Sequence, residues 1–179
     1  MANEYLKNKW RMWFGAIDAE HKHKLSHDDI TAKENRFVIL NHIEGDQRKQ
    51  VMATIDKQVN ENVFYGKPGP ISEDEFVAMQ DEDFKADKEQ YIAKRRNYFT
   101  ILFQTMNLSE EGVTEEVFVN AFRASGHDNI ALDKQFYHLY NPVDGKVPLS
   151  ALIDSWVQFT TCEDSSKPDI VKTGLETGV

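Results

Sequence analysis

The chain has one cysteine, Cys162, among 179 residues, so no intrachain disulfide can form and a reducing, cytoplasmic setting is expected. Positive charge is also scarce. Lys and Arg number 21 against 30 Asp and Glu, a formal net charge of −9. That balance excludes the clustered basic surface that nucleic acid or an anionic membrane would need. Apolar runs fall well short of the roughly 18 residues that signal a membrane span. The opening stretch, MANEYLKNKWRMW, lacks the apolar segment and small-residue cleavage site of a secretory leader. The sequon Asn107–Ser109 is therefore not expected to be glycosylated. GxSxG, the P-loop and HExxH are missing as well, and Cys162 stands in the acidic, polar TTCEDSS. No enzymatic role is expected.

Apolar residues are plentiful, at 40% of the chain with aromatics at 11%, so a core can form. They recur at helical spacing. Leu6, Trp10, Trp13, Phe14 and Ile17 mark one face, and Val51, Met52, Ile55 and Val59 another. Phe99, Leu102, Phe103 and Met106 repeat the pattern, as do Leu132, Phe136, Leu139 and Tyr140. Leu152, Ile153, Trp156 and Phe159 complete the set. Sustained alternation is missing, so long strands are not expected.

Four short segments precede helices with a shared ending: KLSHDDI, PISEDEF, GVTEEVF and KVPLSAL. Ser72 followed three residues on by Glu75 fits a capping box, and Thr114 followed by acids fits it less strictly. The four endings define a fourfold helix–loop–helix repeat. With KWRMWFGAIDAEHKHKLSHDDI, GPISEDEFVAMQ, NYFTILFQTMNLSEEGVTEEVFVNAF and FYHLYNPVDGKVPLSAL, the chain resembles the invertebrate sarcoplasmic calcium-binding proteins over roughly residues 5 to 160. It also resembles their relatives, calexcitin, the calcium-regulated photoproteins and the luciferin-binding proteins. The resemblance implies an all-α fold of four EF-hand-like units in two lobes packed into one compact domain. The lobes would span 1–86 and 87–160, with a tail over 161–179 folded back on anchors Ile170, Val171, Leu175 and Val179. Very short β contacts would join paired loops, Leu25 to Ile71 and Val113 to Val147.

The loops depart from calcium chemistry. Calcium takes six to eight oxygens, from loop positions 1, 3, 5, 7, 9 and 12, with glycine at 6. In loop one Asp18, Glu20, Ser26 and Asp29 could donate oxygen, but Lys22 stands at position 5 and His23 at position 6. Loop two keeps only Ser72 and Glu75 as donors, and YGKPGP reads as a turn. Loop three begins at Met106, with Glu110 as its remaining acid, and loop four keeps only Asp144 and Gly145. Calcium is not expected as a cofactor, and the loop-one set is read as vestigial. His21, His23 and His27 are separated by lysines and read as a solvated loop rather than a zinc or copper site.

The photoprotein-like relatives imply an internal apolar cavity for a small hydrophobic molecule. Its candidate residues are Trp10, Trp13 and Phe14, then Tyr98, Phe99 and Phe103, then Phe122, Phe136, Tyr137 and His138, then Trp156 and Phe159. The same aromatic spacing would also build an ordinary packed core. The tail KPDIVKTGLETGV has neither Tyr nor His, so a luminescent reaction is not expected. The alternatives are a low-affinity divalent-cation buffer and a calcium-independent protein-interaction module.

Overall fold

A computed structural model describes residues 1–109 and 111–178. Four helix–loop–helix units follow one another among these residues. The first runs from α1 (Glu4–Ile17) through β1 (Lys24–Leu25) to α2 (His27–Leu40). In the second, α3 (Gly45–Val59) widens into a π-helical turn, Asn60–Phe64, before β2 (Ile71–Ser72) and α4 (Glu73–Ala86). The third comprises α5 (Lys88–Met106), β3 (Val113–Thr114) and α6 (Glu115–Ser125). The fourth comprises α7 (Ile130–His138), β4 (Lys146–Val147) and α8 (Leu149–Thr161). A short α9 (Ile170–Glu176) ends the fold. Glu110 and Val179 lie outside the described residues.

The loops pair as the spacing of apolar residues predicts. β1 and β2 are antiparallel with Leu25 opposite Ile71, and β3 and β4 with Val113 opposite Val147. All four anchors are buried, so each two-residue contact is held by the core beneath it. Helix starts follow from local chemistry. Ser26 and Ser72 close capping boxes with Asp29 and Glu75, and Thr114 accepts a hydrogen bond from the Val117 amide.

Polar contacts tie the two loop pairs together. Lys33 and Arg36 of α2 donate to the Ser125 and Ala124 carbonyls, at 2.6 and 2.8 Å, at the half-buried C-terminal end of α6. A helix C-terminus carries partial negative charge, so cations there are favourable. The tail is fixed by a buried ion pair, Lys9 with Asp169 at 3.1 Å, and by Val171 and Leu175 in the core. Ile170, expected as an anchor, is exposed instead, at the first turn of α9. Gly174 faces the Phe136 ring so closely that a Cβ would overlap it, which is why α9 can settle against α7.

Candidate functional site

The first candidate is a half-open pocket of about 190 Å³ lined by α1, α5, α6 and α8. Helix α5 turns Tyr98, Phe99, Leu102, Phe103 and Met106 toward it, and α6 turns Val117, Phe118, Ala121, Phe122 and Ser125. Both sets follow the same spacing, so each helix presents one continuous face. Trp13, Ala16 and Ile17 come from α1, and Leu149, Leu152 and Trp156 from α8. Short side chains on facing helices, Ala16, Ala121 and Ser125, leave room that the large rings around them do not fill. Asn107 and Val113 complete the wall from loop three.

Of the twelve aromatic and histidine residues singled out above, six line this cavity: Trp13, Tyr98, Phe99, Phe103, Phe122 and Trp156. The other six lie elsewhere. Trp10 packs edge-on against Phe84 and Tyr91 and donates its indole N–H to the Thr160 carbonyl at 2.9 Å. Phe14 packs on Phe76, and Phe136 on Phe118 and Phe122. Phe159 meets Trp156 from the far side of the cavity wall. Tyr137 shares its hydroxyl between the Val113 and Gly145 carbonyls, at 2.8 and 3.0 Å, tying loop three to loop four. His138 is exposed and lies 2.8 Å from Glu115. The small lining residues escaped the sequence reading because the weight there was on aromatics. The signal that would find them is the continuation of each helical face, as from Trp13 to Ala16 and Ile17.

Behind Trp13 and Tyr98 lies Arg95, fully buried. Its guanidinium stands 5.6 Å from the Trp13 ring, 5.1 Å from Tyr91 and 5.7 Å from Tyr98. It donates to the Asn62 side chain at 2.8 Å, and at longer range to the Asn62 carbonyl and the Gln80 amide oxygen. Gln80 also accepts from Tyr91 at 2.9 Å and Tyr65 at 3.2 Å. The side of the core away from the cavity is thus a polar network organised around Gln80. Burial pushes the Tyr98 phenol up to about 12, with Arg95 opposing, so it remains a neutral donor.

The second candidate is loop one. Asp18 is buried and accepts from the Lys22 and His23 amides, at 3.1 and 2.7 Å. His23 takes the left-handed conformation usual for glycine there, with φ of 58°. The Lys22 ammonium pairs with Asp29 and lies 3.4 Å from Glu20. Asp29 also accepts from the Ser26 amide and hydroxyl, both at 2.9 Å. Burial raises the Asp29 carboxyl, but the hydrogen bonds from Lys22 and Ser26 outweigh it and hold it low. Bonding to Asp29 raises Lys22. Loop two is filled differently. Phe64, at its first position, is fully buried, and its ring stacks on His27 at 3.9 Å beneath Gly69. The His27 ring donates from Nε2 to the Lys67 carbonyl at 3.0 Å. Among the described residues, no group of three His, Cys, Asp or Glu converges to hold a metal ion.

Paired helix–loop–helix units joined through two-residue β contacts define the EF-hand superfamily fold. No family model matches the chain. The sarcoplasmic calcium-binding protein of Mizuhopecten yessoensis is 30% identical over 175 residues, covering 97% of this chain and 99% of its own length. The chain belongs to the sarcoplasmic calcium-binding protein family. Among solved structures, it is similar to the calcium-loaded apo form of the coelenterazine-binding protein from Renilla muelleri. That match has a TM-score of 0.71 and 12% identity, and covers 94% of this chain and 95% of that one. It is also similar to the photoprotein clytin, with a TM-score of 0.69 and 14% identity over 98% and 94% of the two chains. Among the described residues, no helix is long and apolar enough to cross a membrane.

Proposed function

We propose that this chain is a cytosolic, non-enzymatic carrier of a small hydrophobic ligand, built on the EF-hand fold and folded without calcium. The observation behind this reading is the cavity of about 190 Å³ with its nearly all-apolar wall. Packed interiors leave few voids larger than a water molecule. An apolar cavity of about 150 Å³ is already large enough to take up benzene. A neighbour in the same fold is named for binding coelenterazine, which supports a small-molecule role.

The calcium-free part of the reading rests on loop one. A calcium ion there would need the oxygens of Asp18, Glu20 and Asp29. Asp18 serves two backbone amides, and Lys22 sits between Glu20 and Asp29. An ammonium that satisfies the same carboxylates does not fit beside a divalent ion. Calorimetric titration with calcium tests this. Wild type is expected to give no heat at micromolar calcium. Lys22→Asp, which replaces the ammonium by a fifth oxygen donor, is expected to gain measurable binding. A micromolar site in wild type would overturn the calcium-free part. Native mass spectrometry of protein taken from its own tissue tests the carrier part, through a co-purifying mass. A divalent-cation buffer is the second reading, favoured by the name of the scallop relative and by the four oxygen-bearing residues of loop one. The same titration decides between them.

A further inference from the structure

The cavity wall is apolar in area, and hydrogen-bond donors predominate among its polar side chains. Tyr98 is 3% exposed and lines the cavity, yet among the described residues its hydroxyl makes no hydrogen bond. The indole N–H groups of Trp13 and Trp156 are likewise without partners among the described residues, whereas Trp10, one turn from Trp13, donates to a carbonyl at 2.9 Å. Each of these three groups is a hydrogen-bond donor, and an indole N–H can only donate. Asn107 does not balance them, because both ends of its amide are bonded to the Ser109 backbone, at 2.7 and 3.3 Å, and the Ser125 hydroxyl, also in the wall, can accept from only part of this set. Arg95 adds a fixed positive charge behind Trp13 and Tyr98, and its side-chain hydrogen bonds go to the uncharged Asn62 and Gln80.

From this we infer that the cavity is built for a small planar aromatic molecule that carries a carbonyl-type hydrogen-bond acceptor and no positive charge, with Tyr98 donating to that acceptor. This rests on the carrier reading and sharpens it. Size follows from volume. A cavity that takes benzene measures about 150 Å³, so this one admits about eight non-hydrogen atoms, and a little more through its open side. Polarity follows from the donors, which make no hydrogen bond to the described protein and gain one from an acceptor on the ligand. The exclusion of cations follows from Arg95, because a second positive charge in a low-dielectric wall is repelled.

The test uses the full chain and three matched bicyclic probes, indane, 1-indanone and 1-aminoindane, with binding followed by calorimetry and by quenching of tryptophan fluorescence. 1-Indanone is expected to bind about tenfold more tightly than indane, the worth of one neutral hydrogen bond. 1-Aminoindane is expected to bind most weakly. Tyr98→Phe is expected to abolish the preference for 1-indanone over indane, read as the ratio of the two affinities within the variant. Because the hydroxyl has no protein partner to lose, that variant should fold as wild type, and its circular dichroism checks this. Equal binding of indane and 1-indanone by wild type overturns the inference and leaves the carrier reading standing. So does a preference that survives in Tyr98→Phe, or tighter binding of the amine. Failure of all three probes to bind overturns the carrier reading itself, and this inference with it.

Discussion

Two regions of one core treat buried polar groups in opposite ways. Between the π-helical turn, α4 and α5, the side chains of Arg95, Asn62, Gln80, Tyr91 and Tyr65 are knit into hydrogen bonds. One turn further along α5, Tyr98 stands beside a void with no partner among the described residues. The same step occurs on α1, where Trp10 donates to Thr160 and Trp13 faces the void. The hydrogen-bonded region behaves as scaffold, with the Arg95 Nε–H the donor it leaves without a partner among the described residues. The donor-lined region gives up packing and pairing, which is the feature the proposed carrier role rests on.

The largest effect expected from breaking this contrast comes from the scaffold. Gln80→Leu strands the Tyr91 hydroxyl and removes the longer of the bonds made by Tyr65 and Arg95, which keep Asp83 and Asn62, and should cost about 1–3 kcal/mol in urea denaturation. A cost under about 0.5 kcal/mol would show that the network is incidental. A pH dependence common to both loop pairs comes next. Burial, with a smaller contribution from Asp56, pushes Glu34 of α2 up to about 7. Burial pushes Asp133 of α7 up to about 6 despite Arg123. Each has buried carboxylate oxygen without a partner among the described residues. A raised carboxyl binds its proton more tightly in the folded state, so stability is greater below about pH 4–5 for these groups and falls as pH rises toward 7. The expected loss is about 1–3 kcal/mol per group. Glu34→Gln and Asp133→Asn should each flatten the fall in melting temperature between pH 5 and 7.5. An unchanged slope would mean that water reaches these carboxylates. Asp29, Glu75 and Glu163 are held low instead, and their stabilisation is lost only at more acidic pH. The smallest effect sharpens the contrast most. Tyr98→Phe should change stability by less than about 0.5 kcal/mol, because no hydrogen bond in the folded chain is removed.

The loop anchors were legible because two-residue β pairing needs only an apolar residue at a fixed place in each loop. Leu25, Ile71, Val113 and Val147 announce themselves by spacing. The capping boxes at Ser26 and Ser72 are equally local, complete within four residues. The departure of the loops from calcium chemistry could be read in Lys22 and Phe64, but not what those residues do. That Lys22 reaches Asp29, or that Phe64 stacks on His27 from the neighbouring unit, depends on how the chain folds over itself. The division of the aromatics between cavity and solid core was hidden for a related reason. Helical periodicity says which face of α1 turns inward, and Trp10 and Trp13 share that face. It does not say that Trp10 meets Phe84 and Tyr91 while Trp13 meets a gap opposite Ala121.

Sequence by itself therefore determined the four helix–loop–helix units, their apolar faces and the capped starts of three of their helices. Each of these depends on residues within one or two helical turns. Tertiary structure alone decided where the void lies, which donors face it and which cation stands behind them. Those follow from the meeting of α1, α5, α6 and α8, where short side chains from distant segments coincide and no single segment encodes the gap.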